Sequence, residues 1–298
     1  MKPSFYDSFS CLAGKCAHSC CVGWEIDIDD ATRALYASLG GALGKELKEN
    51  ISDEPQPHFV LTEDERCPFL RKDGLCRIIL SLGEAALCDI CALHPRFFNS
   101  FPGREEAGLG LCCEEVVRLL LSSPEGLTLI EQDDGESYRR EPWREELAAL
   151  RAELLSDLNL SSLPFRTRLE RVLSRLGVSC PTFVGREWKA FFLSLERMDE
   201  SWKKMLQLLD RVGADELEKQ LESPRYSAIL AYLLYRHLIK ADCPAEARGY
   251  VRFCAVGTLL IAALDAADAS QMDEHVRAFS AEIEYSDENV EKICSNFL

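Results

Sequence analysis

Ten of the fourteen cysteines in this 298-residue chain lie in its first 113 residues, and they lie there in clusters. Cys11, Cys16, Cys20 and Cys21 form one group, Cys67 and Cys76 flank a short polar segment, Cys88 and Cys91 make a C-x-x-C, and Cys112 and Cys113 are adjacent. The amino terminus, Met1 to Tyr6, carries one positive charge and no apolar h-region, so no signal peptide is expected. The expected compartment is therefore the reducing cytoplasm, where disulfides are disfavoured. Thiols clustered under those conditions point to metal or cluster ligation. The other four, Cys180, Cys243, Cys254 and Cys294, stand alone on apolar helical faces or at helix ends and read as small hydrophobes.

The spacing bears on which metal is held. A structural zinc site normally shows two clean C-x2-4-C pairs, or pairs completed by histidine. Here the first group is looser and ends in a doublet, and the cysteines outnumber one four-coordinate site, which suits an iron–sulfur cluster of the 4Fe–4S kind. Zinc is the alternative, and eight to ten cysteines could hold two centres. The candidate ligands are Cys11, Cys16, Cys20, Cys21, Cys67, Cys76, Cys88 and Cys91. His18 reads as a polar residue of a tight loop rather than a ligand. The C-x3-C-x2-C of radical enzymes is not followed, because Gly23 stands where a third cysteine would fall after Cys16 and Cys20.

Trp24 to Asp29 alternates apolar and acidic residues as a half-buried strand would, with Glu25, Asp27 and Asp29 on one face. That face could attract a cation and supply a base, or be an ordinary solvated surface. Asp30 is a plausible N-cap for a helix running to Leu39 and ended by Gly40-Gly41. His58 to Thr62 reads as a short strand. It leads into a hairpin between Cys67 and Cys76, whose Asp73-Gly74 is a strong turn signal. Arg77 to about Leu93 is helical in pattern, with Cys88 and Cys91 one turn apart on one face, and His94-Pro95 stops it. Cys112-Cys113 opens a helix over 114–122, broken by Pro124.

From Pro142 the pattern is a succession of amphipathic helices, expected at about 143–158, 164–176, 187–211, 224–241, 244–266, 271–284 and 287–297. In the fourth, Tyr226, Ile229, Leu230, Leu233, Leu234 and His237 recur at helical spacing. The most apolar run, Val256 to Leu264, is about half what a bilayer needs and reads as a buried core helix. The expected class is mainly α. A cysteine-rich, metal-bound region with a short β-hairpin (1–130) precedes an α-helical bundle (138–298), with Glu131 to Ser137 as the linker. A formal net charge of −16 repels phosphate backbones, and the basic pairs Arg139-Arg140 and Lys203-Lys204 sit among acids. Neither nucleic acid nor membrane is an expected partner.

Three segments carry a resemblance: Cys-x4-Cys-x3-Cys-Cys-x-Gly-Trp-Glu-Ile-Asp-Ile-Asp at 11–29, Cys-Pro-Phe-Leu…Gly-Leu-Cys-Arg-Ile from Cys67, and Leu-Gly-Glu…Cys-x-x-Cys-x-x-His-Pro-Arg-Phe-Phe-Asn at 82–99. Tyr232-Leu-Leu-Tyr-Arg236 is a weaker fourth. Together they resemble the flagellin lysine-N-methylase (FliB-like) family, within the CxxCxxCC zinc- or iron-chelating proteins. The resemblance implies an iron–sulfur protein that uses S-adenosylmethionine to methylate lysine side chains of flagellin. A non-catalytic iron- or zinc-chelating or redox-sensing module is the alternative. The chain has no Gly-rich strand–turn–helix of a nucleotide-binding methyltransferase, since Gly108-Leu-Gly110 leads directly into Cys112. A donor site is expected between the two regions near His94, Arg96, Tyr235 and Arg236, where the arginines could grip its carboxylate. Arg96 reads equally well as a helix C-terminal counter-charge.

Overall fold

The structure is a computed structural model that describes residues 1–101, 104–122, 126–131 and 141–297. It is mainly α: among the described residues there are fourteen α-helices and three two-stranded sheets. The chain forms two compact units, Ser10–Phe97 and a larger one made of Met1–Phe9 with Phe98–Leu298. The division therefore falls at Phe97–Phe98 and not near residue 130. The physical reason is that the first residues are built into the larger unit. Lys2–Pro3 pairs antiparallel with Leu129–Ile130, and Ala107 N–H donates to the Met1 carbonyl at 3.0 Å. Of the expected linker 131–137, all but Glu131 lies outside the described residues, as does Pro124.

The larger unit is organised around two buried helices, Arg225–His237 and Pro244–Ala267. All six residues picked out by periodicity in the first are fully buried. The second is longer than its central apolar run suggested. It is the one helix among the described residues long and apolar enough to cross a membrane, yet 78% of its most apolar window is buried inside the fold. It is a core helix, and Gly257 lets it lie against the Phe279 ring where any Cβ would collide. Helices Pro142–Leu158, Phe165–Arg175 and Asp287–Asn296 match the expected ones closely.

Three expectations are corrected. The helix expected over 187–211 is two, Gly185–Leu193 and Glu200–Gln207, followed by a tight turn over Leu208–Arg211. Asp199 starts the second by accepting from Ser201 N–H at 2.7 Å. Ala214–Gln220, begun at Gly213, and the hairpin Arg96–Phe101/Arg104–Leu109 have no counterpart in the expected elements. Lastly, helix Met272–Phe279 passes into a π-helical turn over Ser280–Glu284, which carries two carboxylates inward. Glu282 accepts from the N–H groups of Met198 and Asp199 at 2.8 and 3.0 Å, where the broken helix needs acceptors.

Several buried charges of this unit are paired, as low dielectric favours. Arg151 meets Glu106 in a two-pronged contact with both side chains almost fully buried, one N–H···O distance being 2.8 Å. The same guanidinium donates to the Tyr235 carbonyl at 3.0 Å and stands 5.2 Å from the Tyr235 ring centre. Replacing Arg151 with Met should cost about 3–5 kcal/mol, because Glu106 would remain buried without a counter-charge. The double variant with Glu106→Gln should recover part of that loss. Urea unfolding followed by circular dichroism distinguishes the two, and equal destabilisation would show that packing rather than charge is what Arg151 supplies.

Candidate functional site

The unit Ser10–Phe97 contains all eight predicted cysteine ligands, and its backbone draws the three groups together. Cys21 and Cys67 are joined by a hydrogen bond from Cys67 N–H to the Cys21 carbonyl at 2.8 Å, beside an antiparallel bridge between Val22 and Arg66. The chain then reverses at Asp73-Gly74, as the sequence requires. Arg71 and Leu75 pair at 3.0 Å, Asp73 Oδ1 accepts from Leu75 N–H at 3.2 Å, and Gly74 has φ +77°. A bridge from Leu70 to Cys76 completes the return, bringing Cys76 back towards Cys67. Gly74 also abuts Gly14: a Cβ on Gly74 would stand 2.8 Å from Gly14 Cα. Two glycines in contact thus seat the Cys11–Cys16 loop on the turn, an approach no side chain permits.

The expected helix over 77–93 is not continuous. It is Arg77–Leu82 and Asp89–Leu93, separated at Gly83 with φ +86° and a tight turn over Glu84–Ala86. Cys76 and Cys88 are therefore the extended N-cap residues of two short helices, with Cys91 one turn into the second. The helix expected from residue 30 is present as Asp30–Ser38, but its cap is Asp29, which accepts from Thr32 N–H at 2.8 Å. A further helix, Gly41–Glu49, follows immediately.

Between these elements is a core of Ile26, Ile28, Tyr36, Leu47, Phe59, Phe69 and Ile78. Cys67 and Cys88 are buried in it, and Cys21, Cys76 and Cys91 pack against it. Tyr36 is fully buried and donates its hydroxyl to the Ala86 carbonyl at 2.6 Å, two residues ahead of Cys88. Five of the eight predicted cysteines thus share one apolar cluster. Cys20 is exposed and in hydrogen-bond contact with the Cys21 thiol, while Cys11 and Cys16 lie on the loop over the turn, Cys11 Sγ accepting from Ala13 N–H at 3.3 Å. Cys112 and Cys113 belong to the other unit. Cys113 caps helix Glu114–Leu121, and burial pushes the Cys112 thiol up to about 11.

The thiols are not equivalent. The hydrogen bond from Cys20 holds Cys21 down to about 7 against the opposing effect of burial, with Ser19 and Arg66 helping. The hydrogen bond between Cys88 and Cys91 lowers Cys88 and keeps the proton on Cys91. Cys67 is pushed up to about 12 by burial. Burial raises Tyr36 as well, with its neighbours Cys88, Cys91 and Cys76 adding to the effect. Among the described residues no three His, Cys, Asp or Glu side chains stand in an arrangement that could hold a single metal ion.

The acidic face separates by role. Ile26 and Ile28 are buried as alternation predicts, but regular pairing is limited to one bridge from Asp27 to His58. Asp29 caps two helices, accepting from Thr32 N–H and, at 3.0 Å, from Asp89 N–H, which holds its carboxyl below the usual range. Glu25 is exposed, and Asp27 Oδ1 is buried without a hydrogen-bond partner.

The four predicted donor-site residues fall in two different units: His94 and Arg96 in Ser10–Phe97, Tyr235 and Arg236 in the helical one. Burial lowers the His94 pKa. Tyr235 is fully buried with its hydroxyl between the carbonyls of Ala107 and Met1, at 2.9 and 3.0 Å. Arg236 already faces a carboxylate, that of Glu284 at 3.3 Å, and stacks on the Tyr285 ring at 4.7 Å. Glu284 also accepts from His237 Nε2 at 2.6 Å. Sequence reasoning missed Tyr36 and Glu284; Tyr36 carried no signal beyond being an apolar helix residue, and Glu284 lies in an irregular turn.

The lysine-N-methylases of Salmonella typhimurium and Salmonella choleraesuis are each 28% identical to this chain over 145 residues, covering 44% of it and 34% of their own length. The flagellar biosynthetic protein FliU of Salmonella muenchen is 30% identical over 138 residues, covering 44% of this chain and 82% of FliU. The chain belongs to the flagellin lysine-N-methylase (FliB-like) family. Its match to the FliB-like lysine-N-methylases spans about a third of their length. No family model and no solved structure matches it.

The thiol asymmetry has a direct chemical readout in metal-free protein, because the thiolate is the reactive form. Alkylation of Cys21 should rise through about pH 7, while Cys67, pushed up to about 12, stays protected well into the alkaline range. Peptide mapping after iodoacetamide treatment at graded pH measures this. Equal labelling of both residues at neutral pH would contradict the assigned environments.

Proposed function

We propose that this chain is a cysteine-ligated iron–sulfur protein that methylates lysine side chains of a protein substrate, flagellin being the first candidate, with S-adenosylmethionine as methyl donor. The observation that carries the reading is the convergence of Cys21, Cys67, Cys76, Cys88 and Cys91 on one apolar cluster in a member of the lysine-N-methylase family. An all-thiol donor set with two lowered thiols fits a soft metal or cluster. The donors do not close round a single ion. A cluster spreads its thiolates over several irons, so its ligands need not meet at one point. When bound, it would supply iron that can act as a Lewis acid or pass electrons.

The chain's own residues would do the rest. Cys21 and Cys88, the thiols most easily deprotonated, would anchor the group first, and Tyr36 would hold the Cys88 turn in place. Glu25, exposed beside the cysteine loop in sequence, would draw a lysine ammonium, and Asp27 is the candidate to take its proton before methyl transfer. His94 and Arg96 are the residues proposed for the donor's carboxylate end, since a guanidinium can hold a carboxylate by two parallel hydrogen bonds. Tyr235 and Arg236 are engaged by neighbours of their own unit, and their contribution is to its stability.

Anaerobic purification with iron and sulfide analysis and a labelled-donor assay on flagellin tests the whole reading. Iron and transfer together support it; iron without transfer points instead to the chelating or redox-sensing module. Cys88→Ala should abolish iron retention, whereas Cys254→Ala, in the helical core, should retain it and cost a few kcal/mol at most, about the size of a small cavity. Equal loss from both would refute the assignment of ligands. For the donor, Arg96→Ala should weaken S-adenosylmethionine binding in calorimetry with iron content unchanged. Arg236→Ala should leave affinity intact and lower the unfolding midpoint, because Glu284 would lose its buried counter-charge.

A further inference from the structure

Next to the cysteines in the chain, two short helices carry apolar side chains that the described residues leave exposed. Helices Arg77–Leu82 and Asp89–Leu93 are six residues apart and rooted in the same core, the first by Ile78 and the second by Cys88, with Ala86 between them. Their other apolar residues point outward. Ile79, Leu80, Leu82, Ile90 and Leu93 are 38, 54, 37, 47 and 43% exposed. Burying any one of these side chains is favourable, and five exposed on two short helices close in the chain are more than isolated single exposures.

The charge of this surface limits what can cover it. From Ile78 to Leu93 the only charged residues are Glu84 and Asp89, both exposed and both acidic. The nearest preceding cation, Arg77, is engaged by Glu46 through a two-pronged contact. A second copy of this chain would bring the same two carboxylates to the same surface, on a body whose formal net charge is −16. An anionic lipid surface would be repelled for the same reason. The complementary occupant is apolar on one stripe and basic beside it.

We propose that this surface docks an amphipathic helix of a protein substrate, its leucine-type stripe on Ile79, Leu80, Leu82, Ile90 and Leu93 and its lysines facing Glu84 and Asp89. Helix-in-groove recognition uses apolar anchors at i, i+3, i+4 and i+7, and the flanking charges set orientation and on-rate. Because Cys91 lies within helix Asp89–Leu93, a lysine held at Asp89 is held two residues from a proposed cluster ligand. The identity of the occupant as a methylation substrate rests on the function proposed above; the docking itself rests on exposure and charge.

The probe is a synthetic 18-residue helical peptide with leucines at i, i+3, i+4 and i+7 and lysines on the flanking positions, fluorescently labelled and titrated with the full chain. Saturable binding is expected. Leu80→Glu and Ile90→Glu, which alter exposed side chains and should leave the circular dichroism spectrum unchanged, should each weaken it about tenfold or more. Glu84→Lys combined with Asp89→Lys should weaken the lysine peptide and strengthen a glutamate-flanked version. No binding, equal binding of the lysine and glutamate peptides, or concentration-dependent dimerisation of the chain that Leu80→Glu abolishes would each overturn the proposal. Methyl transfer is measured separately. Binding without transfer leaves the docking surface standing and removes the methylase reading, whereas transfer to flagellin with an unchanged KM in Leu80→Glu removes the docking surface alone.

Discussion

Within the cysteine unit, the positions of Cys21, Cys67, Cys88 and Cys91 depend on a few hydrogen bonds that fix backbone rather than side chains. Tyr36, buried on helix Asp30–Ser38, reaches across to the Ala86 carbonyl, and that bond sets the turn from which Cys88 starts the last short helix. Asp29, at the other end of the Tyr36 helix, caps the same short helix through Asp89 N–H. The two contacts clamp one cysteine pair onto an element some fifty residues earlier. The pairing of Cys67 with the Cys21 carbonyl does the same for a second pair. A buried hydroxyl bonded to a buried carbonyl is costly to disturb, because either group left alone would be desolvated without a partner. The site is therefore specified by apolar burial and main-chain hydrogen bonding, without any disulfide at Cys21, Cys67, Cys76, Cys88 or Cys91.

The same logic runs through the helical unit with charges in place of thiols. Arg151 with Glu106, Arg236 and His237 with Glu284, and His275 and Tyr226 with Asp265 are buried ionic or hydrogen-bonded groups that join separate elements to one another. Burial lowers His237 to about 4, so the imidazole is neutral near pH 7 and donates from Nε2 to the Glu284 carboxylate. Such networks favour one packing of the helices over others, because a shifted helix would strand a charge in the core. They also explain why Arg236, a prominent cation in an apolar helix, has an internal partner.

These features give the proposed chemistry its physical setting. A cluster of thiols with graded acidity can deliver some ligands as thiolates near neutral pH while others deprotonate only as a metal arrives, since metal binding itself displaces protons. Tight seating of the Cys11–Cys16 loop through Gly14 and Gly74 keeps further thiols close without committing them to the core. The apolar, acidic surface over residues 79–93 adjoins this unit's buried thiols and offers a binding mode suited to a basic helical segment of a partner protein.

Much of this was legible before any coordinates. The grouping of cysteines, the Asp73-Gly74 reversal, the stop at His94-Pro95 and the buried stripe of helix Arg225–His237 follow from local rules: turn chemistry, missing amide donors and 3.6-residue periodicity act over a few residues. Helical periodicity likewise pointed to the mainly α class. What the sequence could not determine were the choices made by distant partners. Arg77 to Leu93 has helical pattern throughout, yet Gly83 at φ +86° breaks it so that Cys88 can cap a helix and the Ala86 carbonyl can meet Tyr36. Tyr235 and Arg236 have the composition of a ligand site, but the carbonyls of Met1 and Ala107 and the carboxylate of Glu284, all remote in sequence, take up their polar groups. The division at Phe97–Phe98 was hidden for the same reason: the first nine residues join the larger unit by strand pairing with residues 129–130, a contact whose partners lie over a hundred positions apart. Local chemistry determined which residues could serve a site; only long-range burial and hydrogen bonding decided which of them come together.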